Sequence, residues 1–279
     1  MGDRTPRATD SAGLLLGSLG VGGRIDDYVI DAQLPSRGTG HLYLATHVML
    51  PRRAVFKVLP AIVAGARGLA VELLREACII DSVDHPGVPR LFETGMLPDR
   101  RLFVAIEHID GPTLANALDA RAVEDHAVLT IVRDVADVLA CVHAHGLVHG
   151  NVVPSAIVVP SRARRHPLCL VDWAAARTLD SSRPLPLAPP HESVGYLAPE
   201  QLKGEHIDGR ADVYALGMIA RELGADAQGE LPPLFVALVD RMVATEIDQR
   251  PSAAEVRDAA AWLCGQRDES QPAADAFAR

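Results

Sequence analysis

The sequence predicts an α+β protein of two lobes: a small five-stranded antiparallel β lobe carrying one main helix, followed by a larger, mostly helical lobe. Short strand-like runs separated by Gly- and Pro-bearing turns fill the first third of the chain, whereas the remainder carries apolar residues at helical spacing. At 279 residues, 48% of them hydrophobic, the chain has enough apolar material for one large core or two lobes.

Residues 1–26 are rich in Gly, Ser, Asp and Arg and show neither period, so a flexible arm is expected, with order beginning near Tyr28. Strands follow at 28–30, 42–45 and 54–59. A helix over 68–83 is predicted from Leu69, Leu73, Ala77 and Ile80, with Glu76 beside that stripe. Strands at 88–93 and 102–107 complete a first lobe spanning 27–109, and the turn Asp110-Gly111-Pro112 ends it. The second lobe, 110–265, opens on helices; Val128, Ile131, Val132, Val135, Val138, Leu139 and Val142 share one face. Two short apolar strands, 156–159 and 168–171, precede a Pro-dense stretch at 184–190, and 199–263 reads as helices. The tail 266–279 is small and polar and is expected to fray.

Composition excludes several functions. A net charge of −9 with no basic run of five or more argues against nucleic acid or an anionic membrane as partner. No apolar stretch reaches the length of a membrane span, and the weak run 12–21 is broken by glycines and lacks a cleavage pattern. Cys78, Cys141, Cys169 and Cys264 are scattered with no CxxC spacing, which gives neither a disulfide framework nor a zinc site; buried thiols in a reducing, cytoplasmic setting are expected. Of 27 basic residues only Lys57 and Lys203 are lysine, so a lysine on the strand at 57 asks for a specific role.

Motifs supply one. In order, the chain presents Lys57 on a strand, Glu76 on the next helix, the loop Val148-His149-Gly150-Asn151, and Asp172-Trp173-Ala174 after a strand. Ala198-Pro199-Glu200, a run from Asp212 to Gly217, and Arg250-Pro251 follow. This series resembles the bacterial eukaryotic-like (Hanks-type) Ser/Thr protein kinases from about residue 28 to 263. The resemblance implies that Lys57 pairs with ATP phosphates, Glu76 orients it and Asp172 binds magnesium. It further places Gly40, Leu42, Val55, Ile106, Glu107, His108 and Val158 among the nucleotide contacts, with Ile106 to His108 acting through backbone groups. Glu200 and Arg250 correspond to a buried ion pair, and Asp212 to the carboxylate holding the catalytic-loop backbone. The same frame explains His149 as the motif histidine, and His143 and His145 as the end of the preceding helix rather than a metal set.

The departures carry the functional expectation. Asn151 occupies the slot of the catalytic aspartate, Val153 that of the lysine supporting the transferring phosphate, and Ala156 that of the second metal ligand. An amide cannot take a proton as a carboxylate does, and a general base contributes roughly 10²- to 10⁴-fold. The loop that should read Leu-Gly-x-Gly-x-x-Gly reads Leu34-Pro35-Ser36-Arg37-Gly38-Thr39-Gly40, which weakens a phosphate cradle built from backbone N–H groups. Val55 replaces the usual alanine beside the adenine. Trp173 and Ala174 replace Phe and Gly; a Trp filling the apolar slot against Ile80 and Leu91 makes that segment hard to flip. Gly150 replaces the arginine that receives a phosphorylated activation segment, which removes control through Thr178, Ser181 or Ser182. The stretch 222–234 is short for the family.

The expectation is therefore a catalytically impaired pseudokinase that works as a regulatory or scaffolding binder of a protein partner, such as another kinase or signalling protein. ATP and Mg2+ bind weakly or not at all. The alternative is an active atypical Ser/Thr kinase in which another group supplies the base; a small-molecule phosphotransferase is disfavoured because Ala198-Pro199-Glu200 with Arg250 is a protein-kinase feature.

Overall fold

A computed structural model describes residues 19–36, 40–60, 67–120, 125–179, 191–226 and 231–270. The chain divides into two compact units, Met1–Cys78 with Arg90–His108, and Ile79–Pro89 with Ile109–Arg279.

The first unit is built on one antiparallel sheet of six strands: β1 Arg24–Ile25, β2 Tyr28–Leu34, β3 His41–His47, β4 Arg53–Val58, β5 Leu91–Met96 and β6 Leu102–Glu107, in the spatial order β1-β2-β3-β4-β6-β5. Period-two alternation is clear in β4, where Ala54, Phe56 and Val58 are buried in the sheet's core and Val55 and Lys57 face the other way. Tyr28, Phe56 and Phe103 form the aromatic centre, with ring centroids 5.0 and 5.5 Å apart. Helix α1, Arg67–Ser82, covers the second face through Leu73 and Ala77, which pack with Leu59 and Val104.

Two differences from the sequence expectation have physical causes. Order begins before Tyr28: Ile25 is 1% exposed, β1 pairs with β2, Leu19 packs on the core and its N–H donates to the Tyr43 hydroxyl at 3.0 Å. A two-residue strand is too short to show a period, and it makes the sheet six-stranded rather than five-stranded. The strand expected at 88–93 runs instead over β5, because Pro89 has no N–H for a ladder and the Val88 N–H closes a turn onto His85.

The second unit holds α2 Leu114–Asp119, α3 Asp125–Ala144, β7 Leu147–Val148, β8 Ile157–Val158, β9 Cys169–Leu170, β10 Arg177–Thr178, α4 Pro199–Lys203, α5 Arg210–Asp226, α6 Pro233–Met242 and α7 Ala253–Ser270. The short strands pair antiparallel as β7 with β10 and β8 with β9, so the loop after β7 and the segment after β9 leave adjacent ladders. Thr113 caps α2 in a reciprocal box with Asn116. The apolar stripe of α3 is buried at Val128, Val132, Val135, Leu139 and Val142, with α5 and α7 packed against this helix.

Helix α7 continues to Ser270, past the predicted start of the tail at 266. The cysteines are not uniformly buried: Cys169 is, Cys141 and Cys264 are half-buried, and Cys78 is exposed on α1. Apolar sequence surroundings do not fix which side of a helix faces the core. Residues Arg37, Gly38, Thr39, Ser181 and Ser182, the Pro-dense stretch 184–190 and residues 227–230 lie outside the described residues. Among those described, no helix is long and apolar enough to cross a membrane.

Candidate active site

In the first unit, β4 carries Lys57 and α1 carries Glu76. Lys57 Nζ donates to Glu76 Oε2 at 2.5 Å, with side-chain exposures of 19% and 10%. A charge-assisted bond this sheltered from water fixes the ammonium far better than a surface pair would. Leu42 lies opposite Lys57 on β3, and Val55 pairs with Leu44 and Ile106, which places Leu42 and Ile106 in the strands flanking Lys57 and Val55. A Cβ added at Gly40 would lie 3.6 Å from Lys57 Cγ and 3.3 Å from the Val58 carbonyl oxygen, so this glycine sits directly against the lysine stem. At the end of β6 the Glu107 N–H donates to the Arg90 carbonyl at 2.8 Å and the His108 N–H to that of Arg53 at 3.1 Å, so both N–H groups are already committed.

In the second unit, Asp212 at the start of α5 organises the loop after β7. Its carboxylate accepts the N–H groups of His149 and Gly150, both at 2.8 Å, and the His143 Nε2–H at 2.9 Å. Gly150 has φ +77°, and a Cβ there would come within 3.0 Å of the Ala175 carbonyl oxygen, so glycine relieves a strain of about 1–2 kcal/mol that an L side chain would carry. Gln201 closes the arrangement: its Nε2 donates to the Gly150 carbonyl and its Oε1 accepts from the Ala198 N–H, both at 3.0 Å.

His149 is wholly buried, its Nε2–H donating to the Val171 carbonyl at 3.2 Å and its ring edge-on to Trp173 at 4.7 Å. It is a scaffold residue rather than an acid or base. Trp173 is buried and donates its indole N–H to the Leu170 carbonyl at 2.9 Å, which together with the His149 ring contact holds the segment after Asp172 in place. Asp172 itself adopts the left-handed conformation, φ 63° and ψ 67°, uncommon for a residue with a side chain.

The catalytic slots are filled differently. Asn151 Nδ2 donates to Asp172 Oδ2 at 3.1 Å, so the amide in the slot expected for a catalytic carboxylate acts as a hydrogen-bond donor to its neighbour. Val153 is 6% exposed and Ala156 2%, both part of the core rather than of a polar surface. Val158 is buried with Ile109 and Cys169. Behind the site, Arg250 forms a bidentate pair with Glu200 at 2.7 and 2.9 Å; its remaining N–H groups reach the carbonyls of Ala244, Thr245 and Arg210. The guanidinium also lies 4.9 Å over the Tyr214 ring.

Two contributors escaped sequence reasoning. His143 appears in sequence as a helix end, yet it supplies the third donor to Asp212. Gln201, immediately after Glu200, carries no periodicity or motif role of its own in the sequence. Its position directly following the Ala-Pro-Glu motif is the available signal.

The electrostatics of this frame give a pH dependence. Burial lowers the His149 pKa below its ordinary value, so the folded state holds the ring neutral. Burial alone would raise the Asp212 carboxyl; the His143 hydrogen bond and charge and the Gly150 N–H outweigh it and hold the pKa down. Both groups bind fewer protons folded than unfolded. The His149 contribution is complete above about pH 6.5 and falls away as pH drops toward its folded pKa; that of Asp212 is complete above about pH 3.9 and is lost below it. Urea midpoints should therefore decline from pH 7.5 to 5.5, and His149→Gln should flatten that first decline.

The fold is that of the protein kinases, and the chain belongs to the family of the protein kinase domain, whose model matches residues 28–228. It is 31% identical over 240 residues to the serine/threonine-protein kinase Pkn1 of Myxococcus xanthus, covering 85% of this chain and 34% of that protein. It is 30% identical over 200 residues to PknJ of Mycobacterium tuberculosis, covering 71% of this chain and 34% of that protein. The chain thus spans about a third of the length of these relatives. Among solved structures it is similar to the kinase domain of Mycobacterium tuberculosis PknI, with a TM-score of 0.65 and 26% identity over 88% of this chain and 99% of that one.

Proposed function

We propose that this member of the protein kinase family is a pseudokinase: a kinase frame that acts by binding a protein partner, with weak affinity for nucleotide and little or no phosphoryl transfer. One observation carries this reading: Asn151, in the place of the catalytic base, donates a hydrogen bond to Asp172. A carboxylate in that slot would accept the proton of the attacking hydroxyl; an amide aimed at a neighbouring carboxylate has no basic lone pair to offer. Buried Val153 and Ala156 remove the further charge and metal oxygen on which phosphoryl transfer depends.

Lys57, held by Glu76, would take a phosphate oxygen. Asp172 would hold a magnesium ion, which supplies charge neutralisation at the phosphates when bound. The fit to magnesium is partial, because Asp172 already accepts the Asn151 amide and Ala156 contributes no oxygen.

Nucleotide affinity is read by thermal unfolding. With a millimolar dissociation constant, about 5 mM ATP stabilises the protein by about 1 kcal/mol, raising Tm by about 2 °C. Lys57→Ala should remove that rise. ADP formation with an acceptor protein should match the protein-free control; turnover lost on Lys57→Ala would instead support the active atypical kinase.

A further inference from the structure

Within the second unit, away from the loop and Asp172, three metal-ligating side chains converge from segments far apart in sequence. His85 lies in the turn after α1, Asp137 in the middle of α3, and His166 in the loop before β9. Their ligand atoms lie within 4.8 Å of one another. The His85 Nε2 is 3.2 Å from Asp137 Oδ2 and the His166 Nε2 is 3.6 Å from the same oxygen. Two ligands of a tetrahedral zinc ion with bonds near 2.05 Å stand about 3.3 Å apart, so these separations already approximate a coordination shell.

We infer that His85, Asp137 and His166 form a binding site for a divalent transition metal of the zinc class, which joins the turn after α1, helix α3 and the loop before β9.

The surrounding bonds orient the ligands. His166 Nδ1 lies 2.8 Å from the Leu168 carbonyl oxygen and 3.3 Å from the Leu168 N–H; the shorter contact, to an oxygen that can only accept, favours the proton on Nδ1 and the lone pair of Nε2 toward Asp137. In the neutral ring that lone pair faces a carboxylate oxygen 3.6 Å away, and two acceptors so close favour a cation between them. Arg257 Nη1 approaches the other oxygen, Asp137 Oδ1, at 3.6 Å, leaving Oδ2 to the imidazoles. The two histidine rings meet edge-to-face at 5.0 Å, with side chains 12% and 8% exposed, while Asp137 at 39% leaves an approach from solvent. The Leu170 N–H to Gly87 carbonyl bond, 2.8 Å, fastens the His85 turn to β9.

His85 sets the cost. Its Nδ1 accepts the Gly87 N–H at 3.0 Å, so without metal its proton sits on Nε2 and is donated to Asp137. On metal binding that proton moves to Nδ1 and the Gly87 hydrogen bond is given up. The ring stays neutral throughout, so no net proton is exchanged at His85. Imidazole donors select zinc, cobalt, nickel or copper over magnesium, which prefers an all-oxygen shell. The site is therefore chemically distinct from Asp172 and independent of whether the protein transfers phosphate.

Titration of the metal-stripped chain with Co2+ tests this. One equivalent should develop the intense visible d–d absorption of a tetrahedral centre, discharged by stoichiometric Zn2+ and untouched by millimolar Mg2+. Asp137→Asn, at a half-exposed position that leaves the fold intact, and His166→Gln should each weaken Co2+ binding about ten-fold or more, whereas Asp172→Asn should leave it unchanged. Absence of that absorption, or binding that survives both Asp137→Asn and His166→Gln in chains shown to be folded by circular dichroism, would overturn the assignment.

Discussion

Glu200→Ala is expected to lower the unfolding free energy by about 3–5 kcal/mol, measured as a drop in the urea midpoint with unchanged slope. The Arg250 side chain is fully buried and its partner is 3% exposed, so removing the carboxylate strands a guanidinium that water cannot reach. The carbonyls of Ala244, Thr245 and Arg210 and the Tyr214 ring soften that loss without replacing a charge. Against a total stability of about 5–15 kcal/mol for an ordinary domain, the single change is severe. Arg250→Lys should lose most of the same energy, because one ammonium cannot serve both carboxylate oxygens and three carbonyls.

Restoring Asn151→Asp, Val153→Lys and Ala156→Asn together is expected to raise phosphoryl transfer from background to a measurable rate. The base alone accounts for roughly 10²- to 10⁴-fold. The single change Asn151→Asp has a further signature. Asn151 Nδ2 now donates to Asp172 Oδ2 at 3.1 Å; aspartate would set two carboxylates against each other there. Stability should fall by about 1 kcal/mol without divalent ions and recover on adding Mg2+, whereas the parent protein should respond far less. A melting series across magnesium concentrations reads this directly.

The legibility of these features in sequence follows their range. Lys57 and Glu76 were readable because each lies on a regular element with a clear period and a scarce residue type marks the first. The alternation of Val55 and Lys57 on β4 held, as did the predicted range 102–107 for β6. The strand β1 was not readable, since two residues carry no period, and Pro89 shifted β5 by three positions through an N–H it does not possess. His143 and Gln201 matter through bonds to Asp212 and Gly150, spanning 69 and 51 residues, which no local pattern reveals. His85, Asp137 and His166 escaped for the same reason: their spacings of 52 and 29 residues match no metal-binding motif, and only the fold of the second unit groups them. Asn151, by contrast, shows in sequence that the slot expected for a catalytic aspartate holds an amide, while the bond it makes to Asp172 is visible only in three dimensions.

The most direct test is transfer of radiolabel from γ-labelled ATP by the purified chain, with Mg2+ or Mn2+, to itself and to a general acceptor protein. The result expected is incorporation no greater than that of the Lys57→Ala variant. Incorporation that depends on ATP and is abolished by Lys57→Ala would contradict the assignment of a binding role in place of catalysis.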